Sequence, residues 1–155
     1  MSELTTVTFD VRGVPTPQGS PRAFITGHRA IVVSGAQGKG SHGQALHAWR
    51  TAIASEARSA MRGLPSFPGP VRVHAAFVMA RPRSHFRADG ESLAKGAARY
   101  PRLDIDKLAR ALLDGLTGVC FDDDSQVASL HAEKDWDDVT RGWQGVTVSI
   151  TELGS

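Results

Sequence analysis

The residues best suited to chemistry are aspartates crowded around one apolar helical pattern in RLDIDKLARALLDGLTGVCFDDDSQV, residues 102–127. Asp104 and Asp106 precede the pattern, and three consecutive aspartates at 122–124 follow it. In an extended segment, residues two apart point the same way, so Asp104 and Asp106 can aim at one point. Two such carboxylates repel unless a cation lies between them, and all-oxygen ligation suits Mg²⁺ or Mn²⁺ rather than zinc. The pattern therefore indicates a divalent-metal site.

Except for Asp104, the aspartates in and around this pattern also have a purely structural interpretation. Asp106 stands where an N-cap belongs, at the positive end of the helix dipole. Asp114 lies one turn after Arg110 and can pair with it. Three adjacent aspartates are ordinary in a solvated turn. A third carboxylate reaches the first pair only if the chain runs back along the helix, which spans about 18 Å for about 12 residues.

The strands and helices expected to position these side chains belong to an α+β domain. The apolar periods predict a single domain over residues 1–155, with a mixed β-sheet and two main helices packed on one face. The glycine-rich segment 34–43 and the aperiodic segment 81–103 are predicted to be mobile loops. The predicted strands are 5–14, 23–26, 30–34, 71–80, 127–136 and 143–152, and the predicted helices are 44–63 and 106–117.

Charge is unevenly distributed along the chain. The net charge is +2, but residues 1–103 hold 14 Lys/Arg against 5 Asp/Glu, whereas residues 104–155 hold 4 against 11. Such blocks of opposite charge are typical of a protein that binds a polyanion and also clusters carboxylates at a site. Alternatively, the two blocks can neutralise each other's charge in the fold. No apolar run approaches the roughly 20 residues that cross a bilayer, and the first residues do not form a secretion signal, so a cytoplasmic location without membrane partners is expected.

The combined motif resembles a known family. The string D-x-D-K-L-x-R-x-x-L-D-x-L-T-G, followed by D-D-S-Q-V, is similar to the signature of RusA-type Holliday junction resolvases. The loop GVPTPQGSPR (13–22), the pair Trp49-Arg50 and the order of the remaining elements extend the resemblance over most of the chain. It implies a homodimeric endodeoxyribonuclease that makes paired cuts in four-way DNA junctions, during recombination, repair or phage DNA processing.

The resemblance also implies roles for individual residues. Asp104, Asp106 and Asp124 correspond to the family's metal-binding catalytic acids, with Asp123 as the reserve candidate. The implied cofactor is Mg²⁺, for which Mn²⁺ can substitute. A catalytic cation is implied at Lys107 or Arg110, and arginine here replaces the family's usual lysine.

The basic segment 81–103 suggests contacts with the DNA backbone. Such contacts give affinity that falls with salt and position the protein without reading bases. A solvated surface is the alternative for each residue. The candidates are Arg22, Arg81, Arg83, Arg87, Lys95, Arg99, Arg102 and Lys134.

Two rival functions fit the same residues, and several motifs in the chain do not indicate the sites they resemble. The rivals are a non-catalytic DNA-binding dimer, in which the aspartates only cap and solvate, and another metal-dependent phosphotransfer enzyme. The segment GAQGKGS (35–41) lacks the spacing of a phosphate-binding loop, so no nucleotide cofactor is expected. The six histidines show no clear zinc spacing, and the single cysteine, Cys120, has no identifiable base and is expected to be buried.

Overall fold

A four-stranded mixed sheet forms the centre of the molecule. The computed structural model describes residues 4–19, 22–26, 29–33, 41–90, 92–137 and 143–154. The sheet order is β1-β6-β4-β5, with β4 and β5 parallel and the other neighbours antiparallel, while β2 and β3 form a separate hairpin. The predicted α+β class is confirmed. The elements are β1 (Thr6–Arg12), β2 (Arg22–Thr26), β3 (Arg29–Val33), α1 (Ser41–Met61), β4 (Val71–Met79), α2 (Ile105–Leu116), β5 (Val127–Trp136) and β6 (Gly145–Glu152).

The two faces of the sheet differ in polarity. Alternate residues of β4 are buried, from Val71 to Met79, and they share one core cluster with the apolar stripes of both helices. The other face is polar: Thr6 bonds Thr151 and Thr8 bonds Ser149 across β1 and β6, each at 3.0 Å. Period-two alternation in the strands therefore places both helices on one face, as predicted.

Helix α1 begins earlier than its sequence suggests. Its first residues, 41–43, belong to the predicted mobile loop 34–43, so that boundary was wrong; residues 34–40 lie outside the described part of the chain. Glycine in a helix costs about 1 kcal/mol relative to alanine. Gly43, however, is buried one turn before the buried Leu46, so packing of the helix stripe outweighs that cost.

Residues 81–103 form the long connection between β4 and α2. The described part of this segment contains a 3₁₀ turn at Arg83–His85 and a bridge between Phe86 and Leu93, so its irregular character is confirmed. Its mobility stays a prediction. Among the described residues, no helix is long and apolar enough to cross a membrane.

The two helices approach each other closely at Gly115 of α2. A Cβ atom there would lie 2.8 Å from Cγ2 of Ile53 and 3.3 Å from the carbonyl oxygen of Arg50, both on α1. Real Cβ atoms do not come this near, so the packing of α2 on α1 requires glycine.

We expect Gly115→Ala to lower the free energy of unfolding by about 1–3 kcal/mol, because the overpacking exceeds the gain in helix propensity. Urea denaturation measures this, with the exposed Ser59→Ala on α1 as the control. In the Gly115→Ala background, Ile53→Ala should cost less than it does in the wild-type protein, because it relieves the clash. Additive effects would contradict the assignment.

Candidate active site

Asp104 and Asp106 lie at the start of α2, in positions that differ from those expected. The helix begins at Ile105, so Asp104 is the N-cap residue and Asp106 lies in the first turn. The prediction that Asp106 caps the helix was wrong, and the Asp104 side chain makes no capping hydrogen bond either. Both side chains are exposed at the positive end of the helix dipole, so both carboxylates remain accessible to a cation.

The start of α2 is fastened to the end of β5. Lys134 donates from Nζ to the carbonyl oxygen of Leu103 at 2.6 Å, and its ammonium lies 5.6 Å from the centre of the Tyr100 ring. Lys134 was predicted to contact DNA, but its described contacts hold the residues just before Asp104. This lysine therefore positions the acidic pair.

Lys107 is the cation closest to the acidic pair in the described structure. Its Nζ lies 3.3 Å from Oδ2 of Asp104, and its backbone oxygen accepts a hydrogen bond from the amide of Gln18 at 3.0 Å. The second bond ties the proline-rich loop after β1 to α2. Arg110 is exposed on the next turn of the same helix. Of the two predicted cations, Lys107 is the one seen against a carboxylate.

The three aspartates after α2 have different environments. Asp123 caps a 3₁₀ turn at Asp124–Gln126, and hydrogen bonding from the Ser125 backbone lowers the pKa of its carboxyl. Asp122 accepts a hydrogen bond from the Ser66 hydroxyl at 2.7 Å. Asp122 and Asp123 thus have structural partners in and beside the turn, and Asp124 opens the 3₁₀ turn with an exposed side chain.

Gln126 holds this acidic turn in place. Its amide nitrogen donates to the carbonyl oxygens of Phe67 and Gly69 at 2.7 and 2.9 Å. Its amide oxygen accepts from the backbone nitrogens of Asp122 and Asp123 at 2.9 and 3.1 Å. The glutamine of the D-D-S-Q string is therefore a structural residue that fixes the turn to the segment between α1 and β4.

The two groups of carboxylates lie at opposite ends of α2. Helix α2 has 12 residues and is about 18 Å long. Lys134, near the end of β5, reaches the start of α2, whereas Phe121 bridges to Thr117 at the helix end, so β5 runs antiparallel to α2. Asp124 precedes β5 and therefore lies at the far end from Asp104 and Asp106. Although β5 runs back along α2, Asp124 comes before that strand, so one chain does not bring all three carboxylates together, and they form no close ligand cluster among the described residues.

Asp114 joins the two helices instead of pairing along its own helix. Its Oδ2 accepts a hydrogen bond from Arg50 of α1 at 2.8 Å, so the predicted pairing with Arg110 was wrong. The same guanidinium group also donates to the side chain of Gln18. Trp49, beside Arg50, packs in the core below Gly13. Gln18 and Arg50 were not predicted as site residues, and the Trp49-Arg50 pair in the resemblance was the available signal.

Comparison with known proteins supplies the family. Residues 13–151 of the 155-residue chain match the family described as Endodeoxyribonuclease RusA. The chain belongs to the RusA endodeoxyribonuclease family. Individual curated proteins give no significant match.

In this RusA-family chain, the basic segment after β4 forms a cleft at the same end of the sheet as Asp104. The cleft encloses about 600 Å³ and is lined by Arg81, Arg83, Arg87 and Asp137, among others. Arg81 is only partly available, because it donates to the Ala98 oxygen at 3.0 Å and stacks on Trp136 at 5.2 Å. Its described contacts thus anchor the loop.

Arg22 and five exposed residues remain candidates for DNA contact. The side chain of Arg22, at the start of β2, lies outside the described part of the chain, so its predicted role is unaffected. The remaining candidates are exposed and keep their predicted role. They are Arg83, Arg87, Lys95, Arg99 and Arg102.

Cys120 does not act as a nucleophile. The residue is fully buried in the core behind α2, and burial raises the pKa of its thiol to about 12. A thiol with such a pKa is protonated at neutral pH and therefore unreactive.

We expect Gln126→Ala to lower the free energy of unfolding by about 1–3 kcal/mol, because two partly buried carbonyl groups lose their hydrogen-bond donors. Urea denaturation measures the change. Ser129→Ala, at an exposed position on β5, is the control and should leave stability near the wild-type value. Equal stability of the two variants would show that Gln126 does not fix the turn.

We expect Arg83→Ala and Arg87→Ala each to reduce the slope of log affinity against log salt concentration by about 0.9, the value for one lost phosphate contact on duplex DNA. Fluorescence anisotropy with a labelled junction measures the slope. Arg72→Ala removes an exposed arginine from the polar face of the sheet and should leave the slope unchanged. A slope that stays constant in the Arg83 and Arg87 variants would contradict phosphate contact.

Proposed function

We propose that this protein is a Mg²⁺-dependent, homodimeric endodeoxyribonuclease that resolves four-way DNA junctions by paired cleavage in the cytoplasm, during recombination, repair or phage DNA processing. The observation that carries the proposal is the match to the RusA family over residues 13–151, joined to the exposure of Asp104, Asp106 and Asp124 at the two ends of α2. The rest of the proposal follows from the chemistry and symmetry of that arrangement.

The donor set fits magnesium. Asp104, Asp106 and Asp124 are exposed, and Asp104 makes no capping bond that would have to be broken before it binds a cation. All-oxygen ligation by carboxylates suits Mg²⁺ and Mn²⁺. When bound, the ion would supply an activated water and compensate charge on the phosphate and the leaving oxygen.

The edge of the sheet offers a way to complete the site with a second copy of the chain. No strand among the described residues pairs with the outer edge of β5. This strand runs from the end of α2, near Asp124, to Lys134, beside Asp104. If two β5 strands paired antiparallel about a two-fold axis, the beginning of each would lie beside the end of the other. Asp124 of one copy would then approach Asp104 and Asp106 of the second copy.

Two composite sites related by a two-fold axis suit the proposed substrate. A four-way junction presents two opposed strands in a two-fold arrangement, and a symmetric dimer uses the same surface on both subunits. The dimer would therefore place one acidic site against each strand. This is the arrangement that paired cleavage requires.

The chain's own cations would complete the proposed reaction. Lys107 pairs with Asp104 and, once a divalent ion takes that carboxylate, is free to face negative charge on the scissile phosphate. Arg110, exposed one turn further along α2, offers a planar fork for phosphate oxygens. The arginines of the cleft after β4 would hold the DNA backbone at this end of the sheet.

We expect Asp106→Asn to reduce Mg²⁺-dependent cleavage of a labelled four-way junction by about 100-fold or more, because it removes a direct metal ligand. Junction binding in EDTA should persist. The assay compares junction, duplex and single strand with Mg²⁺ or EDTA, and Asp122→Asn, at the aspartate bonded to Ser66, serves as the matched control. Intact cleavage by the Asp106 variant would refute the metal site, and binding without cleavage by wild-type protein would favour a non-catalytic binding protein.

Subunit mixing tests the composite site. Asp106→Asn and Asp124→Asn should each be inactive alone, but after co-refolding, mixed dimers contain one site with both wild-type contributions. We therefore expect restored nicking of one junction strand without paired cleavage. If each site lay within one chain, every site in the mixture would carry a defect and no activity would return. Analytical ultracentrifugation of the mixture verifies that dimers form.

A further inference from the structure

His74, His131 and Glu133 bring three metal-binding groups together on the polar face of the sheet. His74 on β4 and His131 on β5 are directly opposed in the parallel register. Glu133 follows His131 by two residues and therefore projects from the same face. The histidines are 57 residues apart in sequence, which is why their spacing shows no zinc motif. Strand pairing, rather than spacing along the chain, brings these two histidines together.

The ligand atoms of the three residues converge. Nε2 of His74 lies 3.9 Å from one carboxylate oxygen of Glu133, and Nε2 of His131 lies 3.9 Å from the other. The imidazole rings meet edge to face with centres 4.5 Å apart. One ligand atom from each residue falls within 4.8 Å of the others, and among the described residues this is the group of three that meets that condition.

This donor set selects a different kind of metal from the aspartates. Ligands around tetrahedral zinc lie about 2.0–2.2 Å from the ion, and hence about 3.3 Å from each other. The two histidine–glutamate pairs, at 3.9 Å, need to close by about 0.6 Å, and all three ligand atoms already lie within 4.8 Å of one another. All three side chains are exposed and free to rotate that far. Imidazole nitrogens favour zinc, nickel, copper and cobalt, whereas Mg²⁺ prefers oxygen ligands.

We propose that His74, His131 and Glu133 form a binding site for one divalent transition metal ion, with zinc as the principal occupant and water completing the coordination. The ion clamps the edge strand β5 to β4. Because metal binds the folded strand pair and not the separated strands, it stabilises the strand that links the two acidic ends of α2. The site lies on the sheet face opposite α2 and is independent of the proposed Mg²⁺ site.

Metal titration of untagged, metal-free protein tests this proposal. Isothermal calorimetry with ZnCl₂ in the presence of excess Mg²⁺ should give one zinc ion per chain, and Co²⁺ should give the visible absorption of an imidazole-ligated site. His74→Ala and His131→Ala should each weaken zinc binding by about 100-fold or more, since loss of an outer-shell partner alone costs up to about that factor. Glu133→Gln should weaken it while keeping the size of the side chain.

The control is His47→Ala, because His47 is an exposed histidine on α1, outside this cluster. It should bind zinc as the wild type does. Thermal denaturation provides a second measurement: zinc should raise the melting temperature of the wild type and of His47→Ala, but not of His131→Ala. Circular dichroism verifies that each variant is folded. Absence of zinc uptake by the wild type, or equal uptake by all variants, would overturn the proposal.

Discussion

Two contacts fix β5 in an antiparallel direction along α2, and the rest of the site depends on this constraint. Lys134 bonds the carbonyl of Leu103 at the start of α2, and Phe121 bridges to Thr117 at its end. Because the helix is rigid and 12 residues long, these two attachments fix how far apart the acidic groups lie. The arrangement puts Asp104 and Asp106 at one end and Asp124 at the other, which is the basis of the proposal that a second chain supplies the third carboxylate.

The aspartates around α2 divide into structural and accessible groups. Asp114 joins the helices through Arg50, Asp122 accepts from Ser66, and Asp123 caps the turn that follows α2. These bonds hold in position the residues beside them that are proposed to bind metal. The family motif thus mixes residues that shape the site with residues that we propose to act in it, and residue type alone does not separate the two groups.

Much of the fold follows from local patterns, because burial on one face imposes a period that is visible in sequence. The alternation of Val71 to Met79 and the apolar stripe from Leu108 to Leu116 are of this kind. The start of α1 was misjudged because Gly43 carries a poor helix propensity that only packing against the rest of the core overcomes. Propensity is local, whereas the stabilising contact is not.

The sequence by itself determined the family, the sheet-and-helix class and the identity of the acidic candidates, because each depends on residue type at short spacing. Tertiary structure alone decided which groups meet. It paired Asp114 with Arg50 rather than with Arg110, turned Lys134 inward, and set His74 opposite His131. These pairings depend on how separate strands and helices lie against each other, and the register and direction of such packing have no signature in the spacing of residues along one chain.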